Sequence, residues 1–133
     1  MKSTRGILNP QLSRVIAEIG HTDYLVVTDS GLPIPQEVER VDLSILPNFP
    51  RFIDVLKAVL SEVVVEKVIL AEEIKTVSPE MHNEILSLFP SDLVVDYLPH
   101  TEFKENTRSA RAAIRSGEFT PYANIILQAG CDY

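Results

Sequence analysis

The chain has 133 residues, of which 45% are hydrophobic and 23% are charged, and its formal net charge is -7 at pH 7. This length favours a single domain with a sizeable core, and the composition is typical of a globular protein. The acidic balance disfavours nucleic acid and anionic lipid as partners, because both are polyanions. A neutral or cationic ligand is therefore the better expectation.

Cysteine content and hydropathy predict the compartment. Cys131 is the single cysteine, which excludes an internal disulfide and a cysteine-rich metal site. The first residues contain no apolar core of signal-peptide length. No segment reaches the roughly 20 apolar residues that a membrane helix needs. We therefore expect a cytoplasmic protein that does not associate with membranes.

Helix and strand patterns alternate in the first half of the chain. Asn9 and Pro10 are the residue types of an N-cap and a first helical position, and Gly20 is a natural helix end. Apolar, β-branched residues then run without polar alternation into Asp29, which predicts a buried strand. The predicted elements are a helix from Pro10 to before Gly20, a strand at 24–28, a short strand around 41–46 and a helix that starts near Pro50.

The alternation continues in the second half. Its predicted elements are a buried strand at 67–71, a helix from Ser78 to Pro90, a less apolar strand at 92–98, a helix from Thr101 to Gly117 and a last strand at 125–129. The connecting loops are short. This order favours an α/β fold, a layered single domain over residues 1–133 with a mainly parallel sheet covered by helices.

Polar side chains stand at the loop and strand ends of this outline. They are His21, Asp29, His100, Lys104, Tyr122 and Asn124. Ligands of parallel sheets bind beyond the carboxyl ends of the strands, where Asp29 is expected. Lys104 is unfavourably placed for the dipole of the helix predicted from Thr101, which favours a ligand contact. The alternatives are that Asp29 begins a turn, that the histidines are solvated loop residues, and that Tyr122 and Asn124 shape a turn.

Several common catalytic motifs are missing from the sequence. It has no Gly-rich phosphate loop, no Gly-x-Ser-x-Gly elbow, no His-Glu-x-x-His and no Cys-x-x-Cys. Glu72 and Glu73 are adjacent on a predicted strand end and point to opposite faces, so we interpret them as structural. The remaining imidazoles, carboxylate, phenol and amide can bind a polyhydroxylated neutral ligand and move protons on it without a cofactor or metal.

The order and spacing of several segments resemble the D-ribose pyranases, also called ribose mutarotases, with the fucose mutarotases as more distant relatives. The matching segments are Gly6-Ile7-Leu8-Asn9, Gly20-His21-Thr22-Asp23, Asp29-Ser30-Gly31-Leu32-Pro33-Ile34-Pro35, Phe52-Ile53-Asp54-Val55-Leu56, Leu70-Ala71-Glu72-Glu73, His100-Thr101-Glu102-Phe103-Lys104 and the run from Thr120 to Gly130. The chain departs from the family at Ser30, where many members carry Cys, and in the proline-containing segment 46–50. Both departures concern loop shape rather than the polar set.

The resemblance implies an activity and roles for the polar set. The activity is interconversion of the β-pyranose and β-furanose forms of D-ribose by acid–base ring opening and closure. By resemblance His21 is the proton donor, and Asp29, His100, Lys104, Tyr122 and Asn124 bind the sugar. The general base stays open between Asp29, His100 and water.

The resemblance also implies an assembly. The family forms pentameric rings stacked into decamers, with each site completed by a neighbouring subunit, and needs no metal or redox cofactor. Three alternatives stay open at this stage: a mutarotase for another sugar such as fucose, a sugar-binding module without turnover, and a structural oligomer subunit.

Overall fold

The computed structural model describes residues 1–3 and 5–133; Thr4, in the N-terminal stretch examined for a signal peptide, lies outside the described residues. The helices are α1 (Pro10–Glu18), α2 (Phe52–Leu60), α3 (Ile74–Val77), α4 (Pro79–Ser87) and α5 (His100–Asn106), with a 3-10 turn at Thr107–Ser109. The strands are β1 (Tyr24–Thr28), β2 (Glu39–Asp42), β3 (Val65–Ala71), β4 (Val94–Leu98), β5 (Ala112–Arg115) and β6 (Ile125–Ala129). Among the described residues, no helix is both long enough and apolar enough to cross a membrane.

The first helix begins where the sequence predicts. The Asn9 side chain accepts a hydrogen bond from the Leu12 N–H at 2.9 Å, and Pro10 occupies the first helical turn, where its missing N–H costs nothing. The inner face of α1 buries Leu12 and Val15. The cap therefore fixes the residue at which α1 begins.

The six strands form one sheet in the order β2-β5-β1-β6-β3-β4. The pairs β2 with β5, β5 with β1, and β3 with β4 are parallel, whereas β6 runs antiparallel to both β1 and β3. Val26 of β1 lies opposite Ala113 of β5 on one side and Ile126 of β6 on the other. The predicted α/β fold with a mainly parallel sheet is therefore confirmed.

Both faces of the sheet are buried. On one face, alternate strand residues pack with the apolar faces of α1, α2 and α4; the strand residues include Leu25, Val27, Ile125 and Leu127. On the other face, Val26 and Ile126 pack with Phe103 of α5 and with the loop that follows β1. This double coverage explains why the central strands have no polar alternation in the sequence.

Two predicted elements differ from the structure, and one short helix was not predicted. The helix predicted from Thr101 to Gly117 is wrong, because α5 ends at Asn106 and residues 112–115 form β5. The apolar spacing along that segment is helical, but pairing of β5 between β1 and β2 outweighs the local preference. The short strand lies at Glu39–Asp42 rather than around 41–46, and Ile74–Val77 forms an additional helical turn.

Because both faces of the sheet are buried, truncating either of two adjacent side chains of β6 should lower the free energy of unfolding. Ile126 and Leu127 face opposite sides of the sheet, and both are fully buried. We expect Ile126→Ala and Leu127→Ala each to lower the free energy of unfolding by about 2–5 kcal/mol, measured by urea unfolding at one fixed protein concentration. Ile45→Ala is the control, since Ile45 is 68% exposed. Either β6 variant behaving like this control would show that its face of the sheet is not packed.

Candidate active site

The reversed direction of β6 gathers polar residues at one edge of the sheet. The carboxyl ends of β1, β3 and β4 reach this edge, and the loop that leads into β6 arrives at it. A depression of about 250 Å³ opens there. It is lined by Asp29, Gly31, Leu32, Pro33, His100, Lys104, Pro121, Tyr122 and Asn124. The structure thus brings together five of the six residues that the sequence singled out.

Asp29 and Asn124, both in the lining of the depression, form a reciprocal pair. The Asn124 Nδ2 group donates to Asp29 Oδ2 at 3.1 Å, and Asn124 Oδ1 accepts from the Asp29 N–H at 2.8 Å. The other Asp29 oxygen, Oδ1, accepts from the N–H groups of Gly31 and Leu32. Asp29 therefore begins a turn as well as lining the depression, and Oδ2 keeps acceptor capacity for a ligand.

Tyr122 lies in a tight turn before β6. Its φ angle is 62°, in the left-handed region that non-glycine residues rarely adopt, and its carbonyl oxygen accepts a hydrogen bond from the Asn124 N–H at 2.8 Å. The Tyr122 ring meets the His100 ring edge-on, with 5.0 Å between the ring centroids. The turn conformation thus determines where the phenol stands in the depression.

His100 begins α5 and is held by Glu73. Both Glu73 carboxylate oxygens accept from the His100 main-chain N–H, at 3.0 and 3.1 Å. Burial, and then the positive charge of Lys104, lowers the pKa of the His100 imidazole, while Glu73 and Asp29 act in the opposite direction. The ring is therefore neutral at neutral pH. Its buried Nδ1 atom has no hydrogen-bond partner among the described residues, a state that buried polar atoms rarely keep.

Lys104 lies four residues after His100, so both side chains face the same side of α5. Lys104 lines the depression, and among the described residues its ammonium group forms no ion pair with a carboxylate. Three N–H donors are thus available to hydroxyl groups of a bound molecule.

His21 lies at the opposite edge of the sheet. It precedes β1, whereas Asp29 follows it, and the five residues of β1 span roughly 16 Å at 3.3 Å per residue. The His21 side chain is 53% exposed, and its Nε2 atom is 3.0 Å from Glu66 Oε2. The Gln128 amide donates to the other oxygen of Glu66 at 2.7 Å. The imidazole is therefore oriented by a carboxylate that is itself held in place, far from the depression of its own chain.

Glu73 supports His100 but is not among the residues that line the depression, and the sequence predicted for it only a structural role. Its carboxylate anchors the main chain of His100 and contributes negative charge beside the imidazole. Adjacent strand residues do point to opposite faces, but β3 ends at Ala71, so Glu72 and Glu73 lie beyond it. The acidic pair directly after a buried strand was the available signal.

Two substitutions should move the pKa of His100 in opposite directions. Lys104→Met removes a positive charge and should raise the pKa, whereas Glu73→Gln removes a negative charge and should lower it. NMR titration of the imidazole protons measures both shifts. His82 serves as an internal reference, because burial and Lys75 lower its pKa and neither substituted residue acts on it. Shifts of the same sign would contradict the charge arrangement described for the depression.

Comparison with known proteins adds relatives of nearly equal length. A protein from Kosmotoga olearia named D-ribose pyranase is 54% identical over 129 residues, covering 96% of this chain and 97% of the relative. A D-ribose pyranase from Aliivibrio fischeri is 49% identical over 131 residues, covering 93% and 94%. The structure of Bacillus subtilis RbsD complexed with D-ribose superimposes with a TM-score of 0.95 at 47% identity, covering 99% of this chain and all of that one.

The family comparison agrees with these relatives. The sequence matches the family described as the RbsD / FucU transport protein family over residues 1–132, and so over nearly the whole chain. This protein therefore belongs to the RbsD / FucU family.

Proposed function

We propose that this protein is an enzyme, a mutarotase that interconverts the β-pyranose and β-furanose forms of D-ribose. The observation that carries the proposal is the depression in which Asp29, His100, Lys104, Tyr122 and Asn124 meet, in a chain closely similar to proteins named D-ribose pyranase. The Bacillus subtilis relative was solved with D-ribose, which supports the same sugar as ligand here.

The chemistry of the sugar defines what the site must supply. Opening the pyranose ring breaks the bond between C1 and the ring oxygen O5, while O5 gains a proton and the hydroxyl on C1 loses one. The open-chain aldehyde then closes when the oxygen of the C4 hydroxyl attacks C1 and loses its proton, while the former carbonyl oxygen gains a proton and becomes the hydroxyl on C1. The reaction needs one group that donates a proton and one that accepts it, with the roles reversed on closure.

The residues of the depression suit the accepting role. The lowered pKa of His100 leaves its imidazole neutral at neutral pH, and a neutral imidazole accepts a proton. Asp29 Oδ2 is a second possible acceptor, and water is a third. We propose that Lys104, Tyr122 and Asn124 hold the sugar hydroxyls, with Asn124 also fixing Asp29.

For the donating role we propose His21 of a second copy. Since His21 and the depression of one chain lie at opposite edges of the sheet, His21 could act as the acid only at the depression of a neighbouring copy. The exposure of His21 and the support that it receives from Glu66 favour this role. Where a contact that joins opposite edges of two identical chains is heterologous, it closes into a ring if the rotation between neighbouring copies completes a circle. The pentameric rings stacked into decamers of the resembling family fit this requirement, and we propose them for this chain.

Two further features are part of the proposal. We propose that residues 1–133 form a single domain, which is supported by the one sheet and by the core on both of its faces. We also propose a cytoplasmic location, consistent with the single cysteine.

The activity is tested by magnetisation exchange between the pyranose and furanose signals of ribose in NMR. We expect the protein to accelerate exchange and His21→Ala to reduce the acceleration by about 10²- to 10⁴-fold, the usual contribution of a general acid. His82→Ala is the matched control, since His82 pairs with Tyr97 outside the depression, and it should keep the wild-type rate. If the protein does not accelerate the exchange of ribose, the proposal is rejected. Ribose binding without faster exchange would favour a sugar-binding module. Acceleration of fucose exchange alone would favour a mutarotase for a different sugar.

Subunit mixing tests the origin of the acid. His21→Ala and His100→Ala chains are each expected to be nearly inactive, but mixed oligomers should regain activity at contacts that pair an intact His21 with an intact depression. Random mixing in equal amounts restores about one quarter of the sites. In the control, the His21→Ala/His100→Ala double variant replaces the His100→Ala chains. No chain in this mixture carries an intact His21, so no complete site can form. Mixed oligomers seen by native mass spectrometry without regained activity would contradict a shared site.

A further inference from the structure

Glu118 is a buried carboxylate that the proposed reaction does not use. It lies in the loop between β5 and β6, and its side chain is fully buried. A buried charge is costly unless it is paired and hydrogen-bonded, so its position requires an explanation.

The carboxylate of Glu118 accepts hydrogen bonds from two segments that are far apart in sequence. Arg51 donates from Nε to Oε1 and from Nη2 to Oε2, each at 2.9 Å, and the Phe52 N–H at the start of α2 donates to Oε1 at 3.0 Å. The Thr120 hydroxyl donates to Oε2 at 2.7 Å, and the Thr120 N–H donates to the same oxygen at 3.4 Å. Glu118 thus fastens Thr120 to the start of a helix in the core.

The main chain of Glu118 makes a second connection, to the loop after β1. Its carbonyl oxygen accepts from the Ser30 N–H at 2.8 Å. Its N–H donates to the Ser116 hydroxyl, which in turn donates to the Thr28 carbonyl oxygen at 2.6 Å. The residues that flank Asp29 are therefore tied to the residue that holds Thr120.

The charge of the Glu118 carboxylate maintains these hydrogen bonds at neutral pH. Burial alone would raise the pKa of Glu118, but Arg51, the Thr120 hydroxyl and the Phe52 N–H outweigh burial, and the pKa lies below its ordinary value. The group therefore stays ionised and keeps accepting all of these hydrogen bonds. Charge-assisted hydrogen bonds of this kind are stronger than neutral ones.

We infer that Glu118 is a positioning residue that sets the turn presenting Tyr122 and Asn124 to the sugar, acting through the Thr120 hydroxyl. The inference deepens the proposed function, on which it rests. Thr120 stands two residues before Tyr122, whose left-handed backbone persists only where its surroundings determine it. The hydrogen bond from Thr120 to Glu118 fixes the entry of that turn, and the Ser30 contact fixes the loop of Asp29 relative to it.

The test uses two substitutions of Thr120, one that removes the hydroxyl and one that keeps it. Thr120→Val removes the donor and keeps the side-chain shape, and we expect the KM for ribose to rise about tenfold, the loss of one good hydrogen bond, while the rate at saturating ribose is retained. Thr120→Ser keeps the hydroxyl and should restore the wild-type KM. Ser87→Ala removes a hydroxyl that donates to the Glu84 carbonyl oxygen in α4, away from the depression, and is the control.

A double variant separates positioning from general stabilisation. Glu118→Gln should also raise the KM, and Glu118→Gln/Thr120→Val should raise it no further than Glu118→Gln alone, because the hydroxyl acts through the carboxylate. Additive effects in this cycle, or an unchanged KM for Thr120→Val, would overturn the inference. Failure of the proposed function is distinguishable, since the unsubstituted protein would then neither bind ribose nor accelerate its exchange.

Discussion

The strand that runs against its neighbours is the constraint on which the rest of the structure depends. β6 pairs with β1 on one side and β3 on the other, and so joins the parallel strands β2, β5 and β1 to the parallel strands β3 and β4. Because β6 starts at the edge where β1 ends, Asn124 meets Asp29 there. A parallel β6 would place Tyr122 and Asn124 at the opposite edge and leave Asp29 without its partner.

Most of the fold was predictable because its central strands and main helices carry strong local patterns. The cap at Asn9 and the apolar run before Asp29 are examples. The failure concerns β5, whose two alanines and arginine are acceptable in a helix and whose strand pairing depends on residues distant in sequence. Gly117, interpreted as a helix end, instead permits a close approach: a Cβ there would lie 2.5 Å from the Phe49 carbonyl oxygen.

The polar residues of the depression were predictable in type, whereas their arrangement was less predictable. Five of the six polar side chains expected at loop and strand ends line one depression. His21, however, precedes the first residue of β1 and therefore lies at the edge of the sheet opposite to Asp29, which follows the last residue of β1. The contact partners of Glu73 and Glu118 could not be predicted, because they lie 27 residues away for Glu73 and 66 to 67 residues away for Glu118.

The separation of His21 from the depression has a kinetic consequence. If the proton donor and the sugar-binding residues act together only across a contact between copies, the catalytic unit is that contact rather than the folded chain. Dilution then removes activity while each chain keeps its sheet and core, and the rate per chain depends on protein concentration near the dissociation constant of the assembly. A cell that makes few copies would then contain folded but inactive protein. Turnover would begin only when the protein concentration approached the dissociation constant of the assembly.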